Sequence, residues 1–378
     1  MQLKYLQTLI DGQDQINRVA ALAWSPNNQK LAVATADRHV LIFDENGERR
    51  DKFSTKPSTP GNGKNSYLAI AQSDCIVFVY KFGDSWNDKK VICNKFVQPT
   101  AVTTLIWLSS GPIIAGLDNG KVRALHCKTN KSQTLYNGES LTISLSSNSK
   151  GNGFLSGHDD GTVIRFYVSD EGAEASGKLL QHHVPPIALA WPQGGVAVGG
   201  CDKKIYFYDN QGRQVKVFDY SRSDIERDLN IASSSPNGQA VAFGGFDRVR
   251  IYSWSPRLSA WSESVMKEIE NIYTVSALTW RKDGSRLALG SVSGAVVLFE
   301  SVLRRTIWQD KFELIFVAPS QLLVKSLQEP SEQMIIQSKL GLEIDDVRIM
   351  GKDNYLLART EDSLILCDLT RNLISEVP

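Results

Sequence analysis

Apolar residues along this chain recur with a period of two, in runs of five to seven, and the runs are separated by short polar turns. That pattern predicts β-strands. Val19 to Asp44 reads VAALAWSPNNQKLAVATADRHVLIFD, and Val275 to Glu300 reads VSALTWRKDGSRLALGSVSGAVVLFE. Both run as a strand ending in Trp, a polar turn, an apolar strand, a turn with small or acidic residues, and a strand ending in an aromatic. Weaker copies lie at Val102 to His126, Ile143 to Tyr167, Ile187 to Asp209 and Ile231 to Trp254, with a partial one at Leu68 to Tyr80. Seven units result.

Turn residues set the period. Asp37, Asp74, Asp118, Asp160, Asp202 and Asp247, with Ser293 in the last unit, are spaced by 37, 44, 42, 42, 45 and 46 residues. WD-type propeller blades of four strands take ~40–45 residues. A four-stranded sheet that is apolar on both faces cannot bury them alone, whereas sheets packed around an axis cover one another. Asp suits the tight turn because it tolerates the left-handed conformation and bonds its own backbone. The fold class expected is therefore all-β: a seven-bladed WD40-type β-propeller over residues 1–305, then the first strands of a second, truncated propeller over 306–378. Aromatics closing the third strands (Phe43, Tyr80, Tyr167, Tyr208, Trp254, Phe299) are expected between blades. Leu3 to Ile10 is strand-like and is expected to fill the outer strand of blade seven. One helix-like stretch, Ser262 to Ile272, reads as a connection. Beyond Phe299, strands are expected at Phe312 to Val324, Val347 to Ile349 and Tyr355 to Leu369.

Unit two is irregular. Between Asp44 and Leu68 the sequence should hold an outer strand and the next inner strand, yet it offers ENGERRDKF and a Pro-, Gly-, Ser- and Asn-rich stretch. Either another segment replaces the inner strand or residues are missing; an absent inner strand would leave backbone groups unpaired, which favours missing residues.

Composition changes the picture little. With 378 residues there is length for two domains. A net charge of +1 gives no global field for nucleic acid or acidic lipid. The five cysteines (Cys75, Cys93, Cys127, Cys201, Cys367) have no zinc-type spacing and are expected to be mostly buried free thiols of a reducing compartment. Neither a secretory signal nor a membrane-spanning run of ~18–20 residues is visible, so a soluble intracellular protein is expected.

Catalytic chemistry is not evident. His158 lies in SGHDDGT beside two aspartates, where a blade turn with His and Asp bonding neighbouring strands is the expectation rather than an acid–base or metal site. His182 and His183 precede two prolines without a partner at ligand spacing. GNGKNS at Gly61 to Ser66 lacks the first Gly and the final Ser/Thr of a phosphate loop. The chain is expected not to be an enzyme and to have no cofactor and no metal site. Two basic stretches with an aromatic are candidate partner contacts: Arg49, Arg50, Lys52 and Phe53 in the first, Arg304, Arg305 and Trp308 in the second. A solvated strand edge and a linker with a locally packed Trp are the plainer alternatives.

Several phrases are more specific than the repeat: MQLKYLQTL at the start, DENGERRDKFSTKP at Asp44 to Pro57, KKVICNKF at Lys89 to Phe96, GKVR at Gly120 to Arg123, FDYSR at Phe218 to Arg222, RKDGSRL at Arg281 to Leu287, and LRRTIWQDKFEL with VAPSQ at Leu303 to Gln321. Together they resemble the N-terminus of the family of the largest subunit of intraflagellar transport complex B, over essentially the whole chain. The resemblance implies two propellers followed by a helical-repeat tail. It also implies a scaffold or adaptor of complex B, supporting cilium assembly and train movement on ciliary microtubules. It further implies partners among complex B subunits, a calponin-homology-domain subunit above all. Motors would be reached indirectly, nucleic acid is not a partner, and no residue supports membrane contact. The implied location is the cytoplasm and the cilium, at basal body and axoneme. Family members carry an AFSPDS-like phrase where unit two departs from the pattern. A vesicle-coat subunit in membrane trafficking, which shares the tandem-propeller plan, is the alternative.

Overall fold

The computed structural model describes residues 2–12, 17–55, 66–72, 74–82, 91–109, 111–168, 175–255, 259–302, 305–309, 311–318, 321–327, 333–340, 342, 344–360, 362–371 and 373–377. All regular elements among them are strands. The chain forms two compact units, Leu3–Glu300 and a unit of residues 1–2 and 301–378.

In the larger unit the repeats become sheets of successive antiparallel strands. Sheet 1 holds Val19–Trp24, Lys30–Thr35, His39–Asp44 and Arg49–Ser54. Sheet 2 holds Ser66–Ala71, Ile76–Phe82 and Val91–Val97. Sheet 3 runs Val102–Trp107, Ile113–Leu117, Lys121–His126, Lys131–Asn137; sheet 4 runs Thr142–Ser147, Gly153–His158, Thr162–Tyr167, Ala175–Gln181. Sheet 5 runs Ala188–Ala190, Val196–Gly199, Lys204–Tyr208, Gln214–Asp219; sheet 6 runs Ile231–Ser234, Ala240–Gly244, Arg248–Ser255, Ala260–Glu268. Sheet 7 joins Val275–Trp280, Arg286–Ser291 and Val296–Val302 to the N-terminal strand Gln2–Ile10, which takes the outermost place. The terminal strand thus closes the ring as its alternating pattern predicts.

The period of two explains how each sheet serves two neighbours. In His39–Asp44, Val40 and Ile42 join a core with Phe78 and Tyr80 of sheet 2, while Leu41 and Phe43 join one with Leu298 and Ala288 of sheet 7. In Ile76–Phe82, Phe78 and Tyr80 face sheet 1, while Val77 and Val79 face Ile113 and Leu125 of sheet 3. Further cores join sheets 3 and 4 through Phe154 and Phe166, 4 and 5 through Trp191 and Leu155, 5 and 6 through Phe207 and Trp261, and 6 and 7 through Ile251 and Trp280. The fold is a WD40-type β-propeller. Phe43, Tyr80, Tyr208 and Phe299 are buried between sheets as expected. Tyr167 stays partly exposed and meets Trp191 of sheet 5 at 5.5 Å between ring centroids.

Two expectations change. Ser262 to Ile272 is no helix: Ala260–Glu268 is the outermost strand of sheet 6, paired along the eight-residue strand Arg248–Ser255. Its buried Trp261 stacks on Phe207 at 4.5 Å, and pairing along a long neighbour overrides local helix propensity. The thiols are also more open than expected. Cys93 and Cys201 are exposed, Cys75 and Cys127 half-buried, and only Cys367 is buried; all five are free.

The smaller unit contains two sheets. One is Arg305–Trp308, Phe312–Ala318, Gln321–Ser326 and Gln333–Gln337; the other is Asp346–Met350, Tyr355–Arg359, Leu364–Asp368 and Leu373–Val377. Leu314, Leu322, Val324 and Ile336 of the first pack with Ile349, Leu356, Ile365 and Cys367 of the second. Arg305–Trp308 is a strand rather than a linker.

Candidate functional site

The turns between second and third strands, and the connections between sheets, gather at one end of the ring. The sequence marks that end with its turn aspartates. Asp37 accepts hydrogen bonds from Thr35 Oγ1 at 2.5 Å and pairs with His39 Nδ1 at 2.9 Å; the Thr35 bond leads in holding its pKa below the usual carboxylate range. The amide of Thr162 donates to Asp160 Oδ1 at 2.9 Å. Asp202 accepts from Tyr206 Oη at 2.9 Å and meets His183 Nε2 at 3.0 Å. Asp247 accepts from Arg248 Nε at 2.7 Å. Asp74 is an exposed turn residue ahead of Cys75, whose φ is 63°. In sheet 3 the turn position falls one residue later than expected. Asn119, not Asp118, caps the amide of Lys121 at 3.2 Å, because the left-handed residue there is Gly120. Added bulk at Gly120 would meet the Gly138 and Ser140 carbonyls at 2.6 Å.

His158 is buried and tied down: Nε2 lies 2.9 Å from Ser156 Oγ and Nδ1 3.0 Å from the Ser140 carbonyl, with Tyr136 Oη donating to Ser156 Oγ. It is a strand-bonding residue, as its turn context predicts. His182 and His183 do gain partners the sequence did not reveal. His182 Nδ1 lies 2.7 Å from Tyr208 Oη, and His183 joins Asp202 and Tyr206. Burial, helped by the neighbouring His183, pushes the His182 pKa down to about 4. No grouping of three His, Cys, Asp or Glu able to hold a metal occurs among the described residues.

The connection between sheets 5 and 6 is anchored by charge. Glu226 is buried and pairs with Arg250 at 2.9 Å and Arg248 at 3.7 Å. Arg250 also pairs with Glu263 and lies 3.9 Å from the Tyr220 ring. Burial works to lower the Arg250 pKa, but its carboxylate partners hold it above the ordinary value. Breaking such a buried pair costs about 3–5 kcal/mol, so this connection is fixed in place.

A group of exposed apolar side chains stands on the same end. Tyr273 is 57% exposed, and its ring lies 5.8 Å from Phe246; Val292 is exposed in the turn whose amide bonds the Thr274 carbonyl, and Ile225 is exposed in the connection between sheets 5 and 6. Backbone bonds fix the first three. The Thr274 amide donates to the Phe246 carbonyl, Val275 to Gly245 at 2.9 Å, Ile269 to Asp247 at 2.9 Å, and Val292 to Thr274 at 3.0 Å. Asn271 and Thr274 both take positive φ, near 60° and 55°. A rigid, exposed aromatic pair contacts proteins well because little side-chain freedom is lost on binding. Sequence periodicity could not find it, since it lies in turns; the only signal is FGGFDR and ENIYTV placing apolar residues where turn chemistry expects polar ones.

The candidate contacts read from sequence fare differently. Arg49 and Lys52 are exposed on the outermost strand of sheet 1. Arg50 is engaged by Asp44 at 2.7 Å and Glu48 at 2.5 Å. Phe53 is not the exposed residue expected: it packs into the core between sheets 1 and 2, 5.4 Å from Tyr80 and 6.0 Å from Phe82. Arg304 lies outside the described residues, and Arg305 belongs to a strand. Trp308 packs locally onto the core of the smaller unit.

The profile described as WD domain, G-beta repeat matches residues 3–44. The intraflagellar transport protein 172 homolog of Drosophila melanogaster is 68% identical over 391 residues, covering all of this chain and 22% of that protein. The chain matches the N-terminal region of intraflagellar transport protein 172. The human protein of that name is 48% identical and the Chlamydomonas reinhardtii one 38%, again over the whole chain. The chain spans 22% of the length of each of these relatives. The Drosophila alignment runs over 391 residues against 378 here, so that relative carries residues without a counterpart in this chain.

Proposed function

We propose that this chain is a non-catalytic protein-binding scaffold of intraflagellar transport complex B, acting in cilium assembly and in the movement of transport trains along ciliary microtubules. The observation that carries the reading is the whole-length match to relatives named for intraflagellar transport. It agrees with an exposed, backbone-fixed apolar group at the turn end of the ring. In this reading residues 1–305 are a seven-bladed propeller and 306–378 begin a second. The partners are other complex B subunits, a calponin-homology-domain subunit among them, and motors are reached through them. The location is the cytoplasm and the cilium, from basal body to axoneme. Among the basic candidates, Arg49 and Lys52 remain contacts of this proposal.

The test is affinity capture from ciliary extract with the full chain, read by mass spectrometry, beside the variant Tyr273→Glu. Recovery of complex B subunits by the parent, falling about tenfold in the variant at unchanged melting temperature, is expected, since one buried aromatic anchor is worth roughly 1.4 kcal/mol or more. Equal recovery by both removes the turn end as the contact. Recovery of no complex B subunit overturns the scaffold reading.

A further inference from the structure

The turn end of sheets 6 and 7 carries more negative charge than its own cations balance. Arg248 is buried, and its guanidinium is shared by Asp247 at 2.7 Å, Glu268 at 3.4 Å and Glu226 at 3.7 Å. Arg250 pairs with Glu226 at 2.9 Å and also with Glu263. Four carboxylates therefore share two guanidinium groups. Glu270 and Asp228 are exposed and have no ion-pair partner among the described residues. Arg227, exposed, and Lys267, half-buried, are the further cations of these segments, so carboxylates stay in excess.

That charge borders the exposed aromatic pair. The Ile269 amide donates to the Asp247 carbonyl at 2.9 Å and the Thr274 amide to the Phe246 carbonyl, so the backbone around Glu268 and Glu270 runs beside the turn of Phe246 and Asp247. A Cβ on Gly245 would meet the Asp228 carbonyl at 3.7 Å, which places the Asp228 backbone against the same turn. Exposed aromatic rings beside unneutralised carboxylates suit a cation on an apolar stem. The ring face attracts the charge, the carboxylates bond it, and the apolar surface covers the methylenes. The molecule makes this arrangement once within itself: the Arg250 guanidinium lies 3.9 Å from the Tyr220 ring and pairs with Glu263, to which Tyr220 Oη donates at 2.7 Å. An acidic lipid surface, a nucleic-acid backbone or an acidic segment meets repulsion here instead.

Resting on the reading that the turn end is the protein contact, we infer that Phe246 and Tyr273, with Asp228 and Glu270, form a docking face for a basic segment of a partner polypeptide. The segment carries an arginine or lysine close in sequence to a large apolar side chain. Its cation stacks on the Tyr273 ring and pairs with Glu270, and its apolar side chain covers Phe246. The aromatic pair supplies the anchor and the carboxylates supply the choice of partner.

The test is panning of a displayed library of random peptides, each about twelve residues long, against the whole chain. Recovered peptides are then bound to Glu270→Lys, to Tyr273→Ser and, as a control for net charge, to Glu139→Lys, an exposed position in the connection between sheets 3 and 4. The peptides should combine arginine or lysine with an aromatic or leucine residue. They should bind Glu270→Lys and Tyr273→Ser about tenfold more weakly at unchanged melting temperature, bind Glu139→Lys as they bind the parent, and weaken as salt rises from about 0.05 to 0.5 M. Recovery of acidic or uncharged peptides, of no peptide above background, or of basic peptides that bind Glu270→Lys as well as the parent or lose as much on Glu139→Lys overturns the inference. Capture of complex B subunits alongside acidic or uncharged peptides would sink this inference and leave the scaffold reading standing. Basic apolar peptides without capture of any complex B subunit would do the reverse.

Discussion

The ring and the two-sheet unit are built from the same strands and differ in how many neighbours each sheet has. The third strand of sheet 1 is apolar on both faces: His39–Asp44 is buried from Val40 onward because sheets 2 and 7 cover it from opposite sides. In the smaller unit Leu364–Asp368 buries Ile365 and Cys367 and exposes Leu364 and Leu366. Gln333–Gln337 likewise buries Met334 and Ile336 and exposes Ile335. Both regions carry apolar residues on both faces, but two sheets make one interface, whereas a ring makes as many interfaces as sheets. Closure, not strand composition, decides which apolar residues become core.

Truncating a ring core residue should break that contrast most strongly. Trp191 is buried between sheets 4 and 5, so Trp191→Ala should cost about 3–5 kcal/mol in urea denaturation. A cost below about 1 kcal/mol would show that the interface between those sheets is not tightly packed. Trp107→Ala provides the internal reference. It has the same place in its sheet but is far more exposed, and it should cost less than half as much.

Much of this was legible in the sequence, because the period of two and the turn spacing both follow from strand geometry. The repeat boundaries, the closing N-terminal strand and the strands beyond Phe299 needed nothing else. What was hidden depended on contacts between segments distant in the chain. Ser262 to Ile272 looks helical until the long strand opposite it is known. Phe53 looks exposed among charges until Tyr80 and Phe82 arrive from sheet 2. His182 has no visible partner until Tyr208, 26 residues on, is folded beside it. The Tyr273 and Phe246 pair lies in turns, where periodicity carries no information.

Acid should sharpen the comparison by a smaller amount. All five histidines lie in the ring and none in residues 301–378. His182 has its pKa pushed to about 4 from an ordinary 6.5 by burial and by His183, with Asp202 opposing. Above pH 6.5 it is neutral folded and unfolded and contributes no pH dependence. As pH falls from 6.5 towards 4 the unfolded chain takes up the proton first, so the ring loses stability over that window, by about 1–3 kcal/mol. Carboxylates titrate in the same range, so the measurement is the difference between parent and His182→Gln. The parent should show the steeper loss of urea midpoint between pH 6.5 and 4. Parallel curves would mean that His182 is solvated in the native state.

The smallest effect is expected where the two-sheet unit exposes what the ring would bury. Leu366 is 45% exposed, on the face of its sheet opposite Ile365 and Cys367. Leu366→Ser removes little buried area and leaves no unpaired polar group, so its effect on stability should lie within about 0.5 kcal/mol. Ile365→Ala, one residue away on the packed face, should cost about 2 kcal/mol or more. The ratio of the two, measured in the same chain by urea denaturation, reads directly how one-sided the sheet is. If Leu366→Ser cost as much as Ile365→Ala, the outer face would be covered in solution by something other than water, and the contrast with the ring would disappear. A ratio of four or more means that this sheet has one neighbour where every ring sheet has two.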